Sequence, residues 1–207
     1  MVAGMSGHNF ILAFTVCLLA GLLSACMTSA TVPDDHFYRL PAIRATEVTG
    51  PRIEAALAVG PIAVDGLYRE RNMLYIDESD ALELRRYHYR YWVQAPDELV
   101  RQYLMDYLRA TKAADNITRY RPGNQGGGVI EGRILRFERM PHHGRASIEV
   151  SLVLQYRDSA GQDQAQFERR YSREVDAANG SMHATVVAFG DALQQIFGAF
   201  LQELSAR

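Results

Sequence analysis

The sequence predicts an α+β fold, an α/β sandwich in which a mixed, largely antiparallel sheet is packed by two main helices over about 96–110 and 180–204. Three observations predict it. The chain after Val129 runs through three partly or cleanly alternating stretches separated by polar turns, the period-two pattern of half-buried strands. Pro96 opens a segment whose leucines and tyrosines recur at helical spacing. The chain closes on a long apolar stretch that steps by three and four residues.

Before the fold comes a leader. Phe10–Leu23 is continuously apolar but too short to span ~30 Å of hydrocarbon as a helix. Small residues Ser24 and Ala25 follow, then Cys26, which is the layout of a cleaved export signal. Residues 1 to 9 carry no Lys or Arg, a departure from the usual basic start. Leu23-Ser24-Ala25-Cys26 resembles a bacterial lipobox, which implies cleavage before Cys26 and lipid on its sulfur and amine. The expected organisation is therefore a signal peptide over 1–25, a lipidated tether over 26–35 and a periplasmic domain over 36–207. Met27 rather than Asp follows the cysteine, and in lipoproteins that choice implies outer-membrane sorting.

Cysteine usage narrows the chemistry. Of the two cysteines, Cys17 would leave with the leader and Cys26 would be acylated, so no thiol remains for nucleophilic, redox or zinc chemistry. The 22 basic and 24 acidic residues give a net charge of −2, which predicts no strong attraction to nucleic acid or to an anionic membrane. A covalent lipid, not electrostatics, would hold this chain to a bilayer. Met27–Asp35 reaches about 30 Å when extended at ~3.3–3.6 Å per residue, so the domain stays near its membrane.

The elements follow in order. His36–Pro41 is a short extended segment. Ala55–Val64 reads as a strand broken at Gly60-Pro61, where proline removes a donor. Met73–Ile76 and Leu82–Arg86 flank the polar Asp77-Glu78-Ser79-Asp80 as a hairpin. Pro96 starts the first helix, with Asp97 and Glu98 at the positive end of its dipole and Leu99, Tyr103, Leu104, Tyr107 and Leu108 as its apolar stripe. Ile117–Tyr120 is a candidate strand and Pro122–Gly128 a glycine-rich loop. In Val129–Phe137 the pattern puts Ile130, Gly132, Ile134 and Arg136 on one side; in Ala146–Tyr156 it puts Ile148, Val150, Leu152, Leu154 and Tyr156 together. Phe167–Val175 completes an antiparallel meander. The final helix carries Met182, Val186, Phe189, Leu193, Ile196, Phe197, Phe200 and Leu204 along one stripe.

Phe37-Tyr38-Arg39-Leu40-Pro41, then Leu67-Tyr68-Arg69-Glu70-Arg71-Asn72-Met73-Leu74-Tyr75, then Tyr91-Trp92 with Pro96 opening a leucine-spaced helix, resemble the ABC-type transport auxiliary lipoproteins. The resemblance runs in order from Phe37 through the closing helix. Trp92-Val93-Gln94-Ala95-Pro96 lacks the acidic residue often found at this junction. What the resemblance implies is a non-enzymatic accessory of a lipid transport system. The partners it implies are an MCE-domain protein and, through it, an ABC permease and ATPase. The implied place is the periplasmic face of the outer membrane, with no cofactor beyond the lipid on Cys26, and a homo-oligomer is compatible with it.

Other chemistries are weaker on the residues. Gly123–Gly128 lacks the Gly-Lys-Ser/Thr of a phosphate loop. His142 and His143 are adjacent on a turn with no third ligand at metal spacing. Ser181 and His183 sit two apart at a helix start, where they do not face each other and capping by Asn179 or Ser181 is the simpler role.

The run Arg85–Trp92 is the candidate interface. As a regular strand it places Tyr87, Tyr89 and Tyr91 on one face and Arg86, His88, Arg90 and Trp92 on the other. Tyr87, Tyr89, Arg90, Tyr91 and Trp92 are then candidate partner-binding residues, since Tyr, Trp and Arg are enriched at interfaces. The alternative is an edge strand whose tyrosines pack under a helix. Single-stranded nucleic acid suits such interleaving but not an exported chain of negative charge. Beside the docking accessory stand two further readings. One is a periplasmic lipid carrier with Phe189, Phe197 and Phe200 lining a cavity; the other is a hydrolase, for which no convergent acid, base and nucleophile can be assembled.

Overall fold

Hydrophobic alternation and helical stripes meet in one mixed eight-stranded sheet covered by two helices. The computed structural model describes residues 33–44, 54–76, 79–80, 82–123, 127–142, 145–157 and 167–206. The leader, Cys26 and most of the tether lie outside the described residues, as do Asp77, Glu78, loop residues 124–126, His143 and the side chains of His142, Ile148, Val150 and Leu152.

The strands are β1 (His36–Tyr38), β2 (Glu54–Ala63), β3 (Asn72–Ile76), β4 (Leu84–Trp92), β5 (Ala114–Arg119), β6 (Gly128–His142), β7 (Arg145–Arg157) and β8 (Phe167–Ala177). Helix α1 spans Pro96–Ala110 and α2 spans Met182–Ser205. The expected β3–β4 hairpin and β6–β7–β8 meander are antiparallel, and the meander forms the longest ladders. Parallel pairing joins β1 to β4, β2 to both β5 and β6, and β3 to β6. Strand β6 is the spine: β7 runs along one edge, while β2 and then β3 share the other.

Three bulges re-aim side chains. Gly60 and Pro61 together oppose Glu131, the break expected in β2. In β6, Leu135 is an extra residue against β7. Ile134 and Phe137 are therefore both buried, and Arg136, expected beside Ile134, is exposed instead. The third lies in β4, opposite Met73.

Pro96 stands at the start of α1, and Lys112 closes it in the left-handed conformation at φ 53°. The helix covers β2 and β5. Its Arg101 is buried, and its Nε and Nη2 donate to the Val59 carbonyl at 3.2 and 2.8 Å, just before the β2 bulge. The same carbonyl accepts the Tyr120 N–H. Burial lowers the Arg101 pKa, and a guanidinium stays cationic at neutral pH. Arg101→Met is expected to cost about 1.5–3 kcal/mol, the scale of a hydrogen bond from a charged group. A lower urea midpoint with an unchanged slope checks this.

Helix α2 is capped by Ser181, whose Oγ accepts the Ala184 N–H at 3.1 Å, while Asn179 accepts from Ser181. It is long and apolar enough to cross a membrane by composition, but it lies on β7 and β8 as the core helix. Phe189, Phe197 and Phe200 are at most 1% exposed. Phe189 meets Trp92 and Phe137 with ring centres 5.2 and 4.5 Å apart, Phe197 meets Tyr103 and Tyr107, and Phe200 meets Phe167 and Tyr171. The opening segment crosses this helix: a Cβ on Gly190 would stand 2.5 Å from Pro41, so only glycine lets the two approach.

Candidate functional site

The Arg/Tyr run in β4 is not a regular strand. Asn72 pairs with Tyr91 and Leu74 with Arg86, so Tyr87, His88, Tyr89 and Arg90 all stand opposite Met73 alone. The extra residues loop outward, and side chains close the loop: Asn72 Nδ2 donates to the Tyr87 carbonyl at 2.9 Å, and the Tyr91 hydroxyl donates to the carbonyl of His88. The two faces expected from alternation therefore do not exist.

Each candidate residue has its own fate. Trp92 points inward and is 1% exposed, its ring 5.3 Å from Phe137. Its expected place beside Arg86 and Arg90 on a solvent face is corrected by the bulge, which resets the alternation. Tyr87 packs on Tyr75 with ring centres 4.5 Å apart, and its hydroxyl accepts from Arg139. Tyr87 therefore sits partly buried against the core. Arg90 donates to the Tyr38 hydroxyl across the β1–β4 pair. Tyr89 projects from the bulge, 40% exposed, beside the exposed His88.

Tyr91 belongs to a different group. Its ring stacks on Phe37 of β1 at 5.5 Å, and the Arg71 guanidinium lies 5.4 Å from the Phe37 ring centre. Arg71 Nε is fixed by the Trp92 carbonyl at 3.1 Å. Phe37 is nonetheless 55% exposed, and Val93, whose N–H donates to the Tyr38 carbonyl, is 38% exposed. The β1–β4 corner thus presents Phe37, Tyr89 and Val93 to solvent beside cations. Phe37 and Arg71 were missed as site residues because their meeting depends on parallel β1–β4 pairing.

A second surface lies on the face of the sheet opposite the helices. Pro61, Ala63, Leu135 and Val153 floor a groove of about 390 Å³. Glu131, Arg133, Glu168 and Arg170 border it. Glu131 pairs with Arg157 at 2.5 Å, Arg133 pairs with Asp65, and Gln155 donates to Glu168 at 2.7 Å. A Cβ on Gly60 would sit 2.4 Å from Glu131 Cγ, so this glycine lets the glutamate lie across β2. The groove draws on four strands, and the Gly60-Pro61 break was its sole sequence signal.

The strongest proton-affinity shifts lie in the core. Burial pushes Tyr103 up to about 12, helped by Asp191, and pushes Tyr171 up to about 12, helped by Glu203. Both hydroxyls stay neutral at physiological pH and act as packing groups. Ser181 is occupied as a helix cap and His183 is exposed. Among the described residues no three His, Cys, Asp or Glu side chains are grouped to hold a metal.

Comparison with known proteins agrees on the fold. The family model for the ABC-type transport auxiliary lipoprotein component matches residues 38–199. A crystal structure of a Xanthomonas campestris protein superposes with a TM-score of 0.67 at 16% identity, covering 83% of this chain and 95% of that one. The structure of an uncharacterized protein superposes at 0.64 with 15% identity, covering 84% and 100%. The comparison with curated proteins finds no match.

Proposed function

The chain belongs to the ABC-type transport auxiliary lipoprotein family, and from that footing we propose that it is a non-catalytic docking part of an ABC-powered lipid transport system. Its family consists of auxiliary components, whose partners are transporter proteins. In the proposed arrangement Cys26 carries the lipid and 26–35 is the tether. The folded module then sits at the periplasmic face of the outer membrane. There it meets an MCE-domain protein that leads to the permease and ATPase.

The observation that carries this reading is the extent of the family match, which runs from the end of β1 through the rest of the sheet and most of α2. The groove on the sheet face opposite the helices, with its apolar floor and charged border, offers an exposed surface for such docking. The filled core weighs against an internal lipid carrier, because the three α2 phenylalanines pack on other rings instead of lining a void.

Affinity capture of the tagged full chain from native membranes in mild detergent tests the proposal. Co-recovery of an MCE-domain protein or ABC subunits is expected. Recovery of the chain alone, from membranes in which those subunits are present, would overturn it.

A further inference from the structure

We propose that the β1–β4 corner rests on the headgroup region of the bilayer that holds the lipid anchor, so that the module is oriented by its surface as well as tethered. This rests on the lipoprotein reading of Cys26.

Two independent observations carry it. The chain from Cys26 enters the fold at β1, and Met27–Asp35 allows at most about 30 Å between anchor and His36. The residue after His36 is Phe37, 55% exposed and the most exposed aromatic of the described residues. A half-exposed phenylalanine at the anchored end of a module gains by leaving water for the headgroup–acyl boundary, where the apolar faces of interfacial segments place Trp, Phe and Leu. Tyr89 and Val93 add exposed apolar area at the same corner. Arg71 over the Phe37 ring supplies a cation with an apolar stem, the combination that snorkels between acyl chain and phosphate. Asp34 and Asp35 precede the strand, so the contact is apolar and interfacial rather than an attraction of net charge. The bulge serves this geometry by pushing Tyr89 out of the sheet.

Full-length protein, purified in its lipidated form and reconstituted in phosphatidylethanolamine–phosphatidylglycerol vesicles, tests the idea. A polarity-sensitive fluorophore on Tyr89→Cys is compared with one on Asn116→Cys. Asn116 is exposed on β5, at the opposite end of the strand path from β1. The label at 89 is expected to be severalfold less accessible to aqueous iodide than the label at 116, with little change on adding salt. Phe37→Ser should restore access at 89 while the protein still floats with vesicles. Equal access at both positions in floating protein would overturn the proposal. Protein that fails to float at all would instead overturn the anchoring reading, and this inference with it.

Discussion

Cys26→Ser is expected to release the protein from membranes, shifting it from the floating to the soluble fraction of a density gradient. The size of the effect follows from what else could hold it. Acyl chains contribute about 0.8 kcal/mol per buried CH₂, and stable anchoring needs more than one such chain. Once the apolar leader has been removed, the chain offers a net charge of −2 and, among the described residues, one small exposed aromatic corner. Neither replaces the lipid. A Cys26→Ser protein that floats as well as the parent would defeat the lipoprotein reading.

Trp92→Ala is expected to lower the unfolding free energy by about 3–5 kcal/mol, the range for deleting a large aromatic from a packed core. Its ring lies against Phe137 of β6 and Phe189 of α2, so the loss opens a void where hairpin, spine and closing helix meet. In a domain of this size each kcal/mol moves the melting midpoint by roughly 2–4 °C. Tyr89→Ala, three residues away but projecting from the bulge, should stay within about 0.5 kcal/mol. Thermal melts of the two variants separate the core residue from the surface one. Equal stability of the two would mean that Trp92 is not where the fold places it.

That contrast also marks where the sequence was readable. Helix α1 was legible from its start at Pro96 to about Ala110, because Pro96, the two acids after it and a leucine–tyrosine stripe are local signals. The meander was legible for the same reason: alternation is a property of neighbours in sequence. Strand β4 misled because three additional residues stand against Met73, and a bulge flips every side chain beyond it. Leu135 did the same to Arg136 and Phe137. Parallel pairing of β2 with β5 and β6 joins segments far apart in the chain, which no local pattern encodes. The outer groove follows from the β2–β6 pairing and the Phe37–Arg71 contact from the parallel β1–β4 pairing. They became visible only with the topology.

The lipid itself is the most direct thing to measure. Intact mass and N-terminal peptide analysis of protein extracted from membranes should find a chain beginning at Cys26 with a diacylglyceryl thioether and an acylated amine. A chain that still begins at Met1, with Cys26 as a free thiol, would contradict the envelope-anchored role.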